Sequence, residues 1–318
     1  MKNIIIDTDL GFDCDDAGAL AIANYLHKKG TINILAVTHC VNKEIGAQAI
    51  QGINKFYGNG DIPIGYADSF CLNVDRVYEE FFLKLKYRQD FKGFKQKPSF
   101  YKFLNLIAEN KKGNNVNAET VIIDKLFSSR DKSITFVGIG QLNNLATIIE
   151  KHSEISRQKI EKFVLMCGNF SQQGKYFDDG ETLWNGEFNI IMDLKSSQQV
   201  FADKNLYIDV IDYFQGNDIL TGEGIVGQFD NPVYKAYLAH GKGRECPSWD
   251  LIAVMYASGL YDDCFEVSEY GSINVGKYGK TTFKKGKGNH RLIKIKSEKK
   301  DAIRQEINYI FTKGNKNG

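Results

Sequence analysis

Ile4-Ile5-Ile6-Asp7-Thr8-Asp9-Leu10-Gly11-Phe12-Asp13-Cys14-Asp15-Asp16-Ala17 is the stretch on which the reading of this chain turns. An uninterrupted apolar run ends at Asp7, and a helical pattern begins near Asp15. The five carboxylates therefore fall between a buried strand and a helix, at the carboxyl edge of a sheet, where open α/β folds place their ligands. Like charges this close repel unless a proton or a cation sits among them. Oxygen ligands with no accompanying His or Cys cluster suit a hard cation such as Ca²⁺ or Mg²⁺.

Other readings of the run fare less well. In an EF-hand register Gly11 takes the fifth loop position rather than the sixth, and Gly18 stands where the terminal Glu is required. A phosphatase of the haloacid dehalogenase type also has D-x-D after an apolar strand, with Asp7 as its nucleophile and Mg²⁺ as its cation. That motif normally continues with Thr or Val, whereas Leu10-Gly11 is followed here by three more acids. Helix capping explains one or two of the acids, not five.

Outward from the run, strand and helix patterns alternate. Strands are expected over 3–6, 32–38, 62–64, 133–138, 162–166 and 206–211. Helices are expected over 15–29, 43–57, 117–127, 142–151, from about 195, over 232–240 and over 250–256. Residues 68–100 read as an insertion or mobile loop, and 167–185 as a long polar loop. The tail alternates like a β-hairpin over 270–296 and ends in a helix over 299–311. Repeated β-α-β units imply one α/β domain, residues 1–318, with a mostly parallel central sheet flanked by helices.

Composition narrows the function classes. The 318 residues are 42% hydrophobic with four prolines, and the formal charge is +2. That suits a globular core and gives no overall pull toward DNA. The basic tail from Lys277 reads either as a solvated face or as a patch for phosphate or RNA. The six cysteines (14, 40, 71, 167, 246 and 264) form no C-x-x-C pair, so neither a disulfide framework nor a zinc site is expected. The first strand starts where a signal peptide would lie, and no apolar run approaches a membrane span. A cytoplasmic protein is expected.

Three further constellations carry polar chemistry. Gly140-Gln141-Leu142-Asn143-Asn144-Leu145-Ala146 follows a strand and opens a helix. Met166-Cys167-Gly168-Asn169 leads toward Glu187-Phe188-Asn189, whose carboxylate and amides suit a polyol. Pro247-Ser248-Trp249-Asp250 precedes an apolar helix, with Asp250 a cap or a distant ligand and Trp249 a core residue or a stacking platform.

Taken in this order, the four segments resemble the calcium-dependent nucleoside hydrolases of the inosine/uridine-preferring type, from residue 3 to about 257. That family opens with D-x-D-x-G-x-D-D-A after a strand; here Asp7 to Ala17 carries two extra residues, as in a divergent branch. The family's G-P-L-T-N-I-A turn resembles Gly140 to Ala146, with Gln141 for Pro and Asn143 for Thr. Its M-G-G and E-F-N segments resemble Met166 to Gly168 and Glu187 to Asn189. Its H-D-A resembles Trp249-Asp250-Leu251.

The resemblance implies a Ca²⁺ site in an enzyme of nucleoside salvage. Asp9 would be both ligand and general base, and Asp16, Asp250 and the backbone carbonyl of Asn143 would be the remaining ligands. It implies Asp15, Glu187 and Asn189 on the sugar hydroxyls, with Asp7 behind them and Met166, Asn169 and Tyr237 lining the substrate. Asp13 has no counterpart. Trp249 replaces the His that protonates the leaving base, which leaves stacking by Trp249, or His39, Tyr237 or His240 as a substitute acid, with His39 favoured. The implied substrate is a ribonucleoside: purine-like, a modified deazapurine as in queuosine-cleaving relatives, or 5′-phosphorylated. A homodimer or homotetramer is expected. A catalytically weak ribonucleoside-binding protein is the reading that the missing His leaves open.

Overall fold

A computed structural model describes residues 1–68, 100–108, 116–170, 186–241 and 245–313. The expected insertion over 68–100 and most of the polar loop over 167–185 lie outside the described residues.

The apolar run forms strand β1 (Lys2–Thr8), whose Ile4, Ile5 and Ile6 are buried on both faces of the sheet. Continuous burial of this kind belongs to the middle of a parallel sheet. β1 pairs in parallel with β2 (Ile32–His39) on one side and β4 (Ile134–Ile139) on the other. β3 (Ile64–Tyr66), β5 (Ile160–Met166) and β6 (Ile208–Ile211) extend the parallel block. Helices cover its faces, among them α1 (Asp15–Lys28) and α2 (Glu44–Phe56). The expected single α/β domain with a mostly parallel sheet is the one found.

β3 begins two residues later than its hydropathy suggests. Pro63 has no N–H for a ladder, and only its carbonyl is used, accepting from Val37 N at 3.0 Å. The short helices Ser153–Lys159, Phe188–Met192 and Tyr213–Asn217 carry too few residues for a periodic signal.

The tail departs further from expectation. Gly271–Val275 and Thr281–Lys285 (β10 and β11) do form an antiparallel hairpin. However, His290–Ile295 (β12) inserts between β10 and β6, parallel to β6, and joins the hairpin to the main sheet. β9 (Phe265–Val267) pairs with β12, and the short pair β7 (Leu220–Thr221) and β8 (Cys246–Pro247) stands apart. The C-terminal helix is Lys300–Lys313.

Many of the tail's cations are paired within the chain. Arg291 meets Asp209, Lys299 meets Asp263 and Arg304 meets Glu245, at 2.6–2.8 Å. The solvated, structural reading of the basic tail accounts for these residues. Among the described residues no helix is long and apolar enough to cross a membrane.

Candidate active site and cation site

The site is built where β1 stops. Thr8, its last residue, donates its hydroxyl to Asp16 Oδ1 in a short hydrogen bond and accepts from Leu10 N at 3.2 Å. Gly11, at φ 140°, supplies a backbone conformation that side chains resist, and the loop folds back toward the sheet. Asp13 then accepts from Asp15 N at 3.3 Å, at the entrance to α1. Asp15 and Asp16 occupy the helix's first turn, where its dipole favours negative charge.

The helix Trp249–Ser258 brings in Asp250 from the far end of the chain. Its backbone N–H donates to Asp15 Oδ2 at 3.0 Å. Carboxylate oxygens of Asp13, Asp15, Asp16 and Asp250 all lie within 4.8 Å of one another, with Asp13 half-buried and the others buried. Asp9, 4% exposed, feels the charges of Asp16, Asp13 and Glu187.

Burial first, and then the repulsion of these neighbours, raises the pKa values of Asp9, Asp15, Asp16 and Asp250 well above the carboxylate range. Burial pushes Asp7 up to about 7, opposed by hydrogen bonds from Thr38 at 2.6 Å and Asn144 at 2.8 Å. Glu187 is likewise pushed up to about 7 by burial, against three backbone donors at Asn189, Gly168 and Ile190.

The turn after β4 closes one wall. A Cβ on Gly140 would come within 2.7 Å of both Asp9 N and Cys40 Sγ, so only glycine fits there. Gln141 Nε2 and Asn143 Nδ2 both donate to the Cys40 carbonyl at 2.9 Å. Their amide oxygens, Gln141 Oε1 and Asn143 Oδ1, are buried with no hydrogen-bond partner. The backbone carbonyl of Asn143, expected as a ligand, accepts the Thr147 hydroxyl at 2.9 Å and heads the helix Asn143–Lys151.

The end of β5 forms the opposite wall. Asn189 donates to the Met166 carbonyl at 3.0 Å and lies 3.4 Å from its sulfur, while Glu187 caps its own short helix. Asn169 is held through its N–H to Thr281 at 2.9 Å, and its Oδ1 is buried without a partner. Phe12, from the acidic loop, meets Phe188 edge to face with ring centroids 5.1 Å apart.

The leaving-group candidates separate clearly. His39, the favoured acid, is fully buried, with Nδ1 2.9 Å from the Val41 carbonyl and Nε2 3.0 Å from that of Leu10. Burial lowers its pKa to about 4. Both nitrogens face backbone carbonyls, and the neutral ring has one N–H to donate between them, so His39 packs between the acidic loop and the end of β2. Tyr237 is 1% exposed; its hydroxyl packs against Gly18 of α1 and its ring meets Phe311. It supports α1 from within the core. His240 sits in the last turn of Pro232–Gly241. Trp249, half-buried, stacks on Tyr213 at 5.3 Å and 23°, and its indole N–H is buried without an acceptor.

The structure therefore brings Asp13, Asp15, Asp16 and Asp250 together, with Asp9 beside them. Asp13, quoted from sequence without a role, falls within the cluster, and Tyr213 is new to the residues singled out. The D-x-D spacing of Asp13 and Asp15, two residues apart in a loop that must turn, is the signal that could have found Asp13. The donor set of clustered carboxylate oxygens fits a hard divalent cation.

Comparisons with known proteins bear on the family and the fold. The sequence profile described as inosine-uridine preferring nucleoside hydrolase matches residues 4–303. No curated protein sequence matches the chain. A plant nucleoside hydrolase, PpNRh1, has a similar structure with 18% identity, covering 100% of this chain and 99% of that one, at a TM-score of 0.70. The inosine-uridine preferring nucleoside hydrolase of Bacillus anthracis has 17% identity, covers 98% and 100%, and gives 0.69. The type III effector XopQ, complexed with adenosine diphosphate ribose, has 9% identity, covers 98% and 94%, and gives 0.75.

Proposed function

The chain belongs to the inosine-uridine preferring nucleoside hydrolase family and is an N-glycosyl hydrolase; from that premise we propose that it cleaves the N-glycosidic bond of a ribonucleoside at a Ca²⁺ site, releasing free base and ribose. The observation that carries the reading is the convergence of Asp13, Asp15, Asp16 and Asp250 within 4.8 Å, from two ends of the chain. Asp16 and Asp250 would hold the cation, with Asp13 and Asp9 at its side. A bound cation of this kind lowers the pKa of a coordinated water and orients it.

The remaining work falls to the chain's own groups. Asp9 takes a proton from the attacking water, whose oxygen bonds to the anomeric carbon as the bond to the base nitrogen breaks; the base leaves with that electron pair and takes its proton from solvent. A cation beside Asp9 would favour its ionised form, which is the form that accepts a proton. The neighbouring carboxylates stabilise the oxocarbenium-like transition state. Asp15, Glu187 and Asn189 accept or donate hydrogen bonds at the ribose hydroxyls, with Met166 and Asn169 lining the same wall. The base lies against the Trp249–Tyr213 pair, and the unpartnered indole N–H meets an acceptor on its edge. That arrangement favours a purine-like base, activated by stacking and hydrogen bonding rather than by a histidine.

The phosphatase reading is not favoured, since Asp7 is 2% exposed and already accepts from Thr38 and Asn144. The test is a panel of purine, pyrimidine and deazapurine ribonucleosides, 5′-nucleotides and adenosine diphosphate ribose, incubated with the protein and Ca²⁺ and assayed for free base. Base release from at least one member is expected. Tight binding without turnover across the panel would replace the enzyme by a ribonucleoside-binding protein.

A further inference from the structure

The resemblance in sequence runs out near residue 257, yet a residue beyond it reaches the ribose wall. Thr281 opens β11 in the C-terminal hairpin and is 4% exposed. Its hydroxyl accepts from Asn169 N at 2.9 Å and donates to the Asn169 carbonyl at 3.3 Å. One oxygen thus ties both backbone polar groups of a residue 112 positions earlier in the chain.

The neighbouring backbone groups are tied as well. Gly168 N donates to Glu187 Oε2 at 2.8 Å, and the Gly168 carbonyl accepts from Tyr213 N at 3.1 Å. Phe170 N donates to Asp212 Oδ2 at 3.1 Å. Gly168 takes φ 80°, and a Cβ there would press on the Phe170 ring at 2.7 Å and on Thr281 Oγ1 at 3.3 Å. Gly186, the residue before Glu187, rests on Gly279 of the same hairpin, where a Cβ would lie 2.9 Å from the Gly279 carbonyl oxygen. The hairpin therefore grips both segments that carry the wall's polar groups. Within that frame Asn169 is half-buried, and its Oδ1 is buried with no hydrogen-bond partner. A buried acceptor left dry costs free energy, and on a backbone fixed this fully it is an aimed group awaiting a donor.

We propose that Thr281 is a positioning residue for the ribose: by clamping both backbone groups of Asn169, it holds the Asn169 amide ready to receive a sugar hydroxyl. This rests on the nucleoside hydrolase reading above and extends the sugar wall to the C-terminal hairpin. An acceptor fixed before the substrate arrives spares the ordering that binding would otherwise require.

The test uses the full chain loaded with Ca²⁺ and whichever ribonucleoside of the panel it cleaves fastest. Thr281→Val, nearly the same shape without the hydroxyl, is expected to raise KM about tenfold with kcat little changed, the upper scale of one hydrogen bond. Thr281→Ser keeps the hydroxyl and is expected to hold KM within about twofold of wild type. Asn169→Ala should raise KM by at least as much as Thr281→Val, and combining the two should add nothing further, because one residue acts through the other. A Thr281→Val protein that melts lower but keeps its KM reduces Thr281 to a brace and overturns the proposal, and so do losses that multiply in the double variant. Should Thr281→Val fail to fold, Thr281→Cys replaces it and is read in the same way, since a thiol is a weak donor and acceptor. Wild-type protein that releases no base from any nucleoside defeats the enzyme reading itself, and the proposal with it.

Discussion

Asp209 and Asp16 are both 2% exposed, yet the chain treats them in opposite ways. Asp209, near the start of β6, is met by Arg291 through two hydrogen bonds at 2.7 and 2.9 Å, by Lys162 at 3.4 Å and by the Tyr256 hydroxyl at 2.7 Å. Strands β5, β6 and β12 each contribute to that cluster, which fastens the C-terminal strands to the parallel sheet. Asp16 and its neighbours beyond the other end of the strands feel mainly burial, one another's negative charge and neutral hydrogen-bond donors. A buried carboxylate given its own cations is a structural clamp. A buried cluster left to repel itself is a site prepared for a charge from outside.

Mutations should separate the two regions by what they damage. Asp9→Ala is expected to lower the rate of base release by about 10²–10⁴-fold, the usual worth of a positioned general base, while the thermal transition persists. Retention of full activity would remove Asp9 from the chemistry. Asp209→Ala leaves Arg291 and Lys162 facing an empty site, and should cost about 3–5 kcal/mol of stability. Denaturant titration checks this, and activity per folded molecule should hold; a large drop in turnover with unchanged stability would erase the distinction between the regions.

Acidity offers a third way to sharpen the contrast. Asp7 and Glu187 have folded pKa values of about 7, above those of the unfolded chain. The native protein therefore keeps protons that the unfolded chain releases, and the stabilisation is complete below the unfolded pKa and lost as pH rises through about 7. Metal-free protein should accordingly melt at a higher temperature near pH 5 than near pH 8. Glu187→Gln should flatten part of that slope; an unchanged slope would contradict the assignment. The smallest effect is expected from Trp249→Phe, which keeps a ring but loses the indole donor. About 1 kcal/mol, or roughly fivefold in KM, is the scale of one hydrogen bond, with little change in kcat. An equal loss in kcat would place Trp249 in the chemical step instead.

What could be read from sequence was local. Ile4 to Ala17 carries its strand, its turn and its acids within one short span, so the edge position and the hard-ligand character followed from hydropathy and charge. The partnership of Asp250 with Asp15 is local at neither end, and the sequence offered Asp250 only as a cap or a distant ligand, without its partner. His39 shows the limit of edge position as evidence. The strand does end at the site edge, but both nitrogens of the ring face backbone carbonyls, and side-chain direction is not written in hydropathy. The insertion of β12 between β10 and β6 is similarly a matter of strand order, which alternation cannot encode. Asp13 was visible as an acid, yet its membership of the cluster depended on how Gly11 turns the loop.

If the self-repelling carboxylates form a cation-dependent N-glycosyl hydrolase site, base release must follow the metal. This dependence is tested most directly by assaying free base from the nucleoside panel with metal-stripped protein, before and after Ca²⁺ is restored. The account predicts negligible release without metal and recovery on adding Ca²⁺. Equal release in the presence of excess chelator would contradict it.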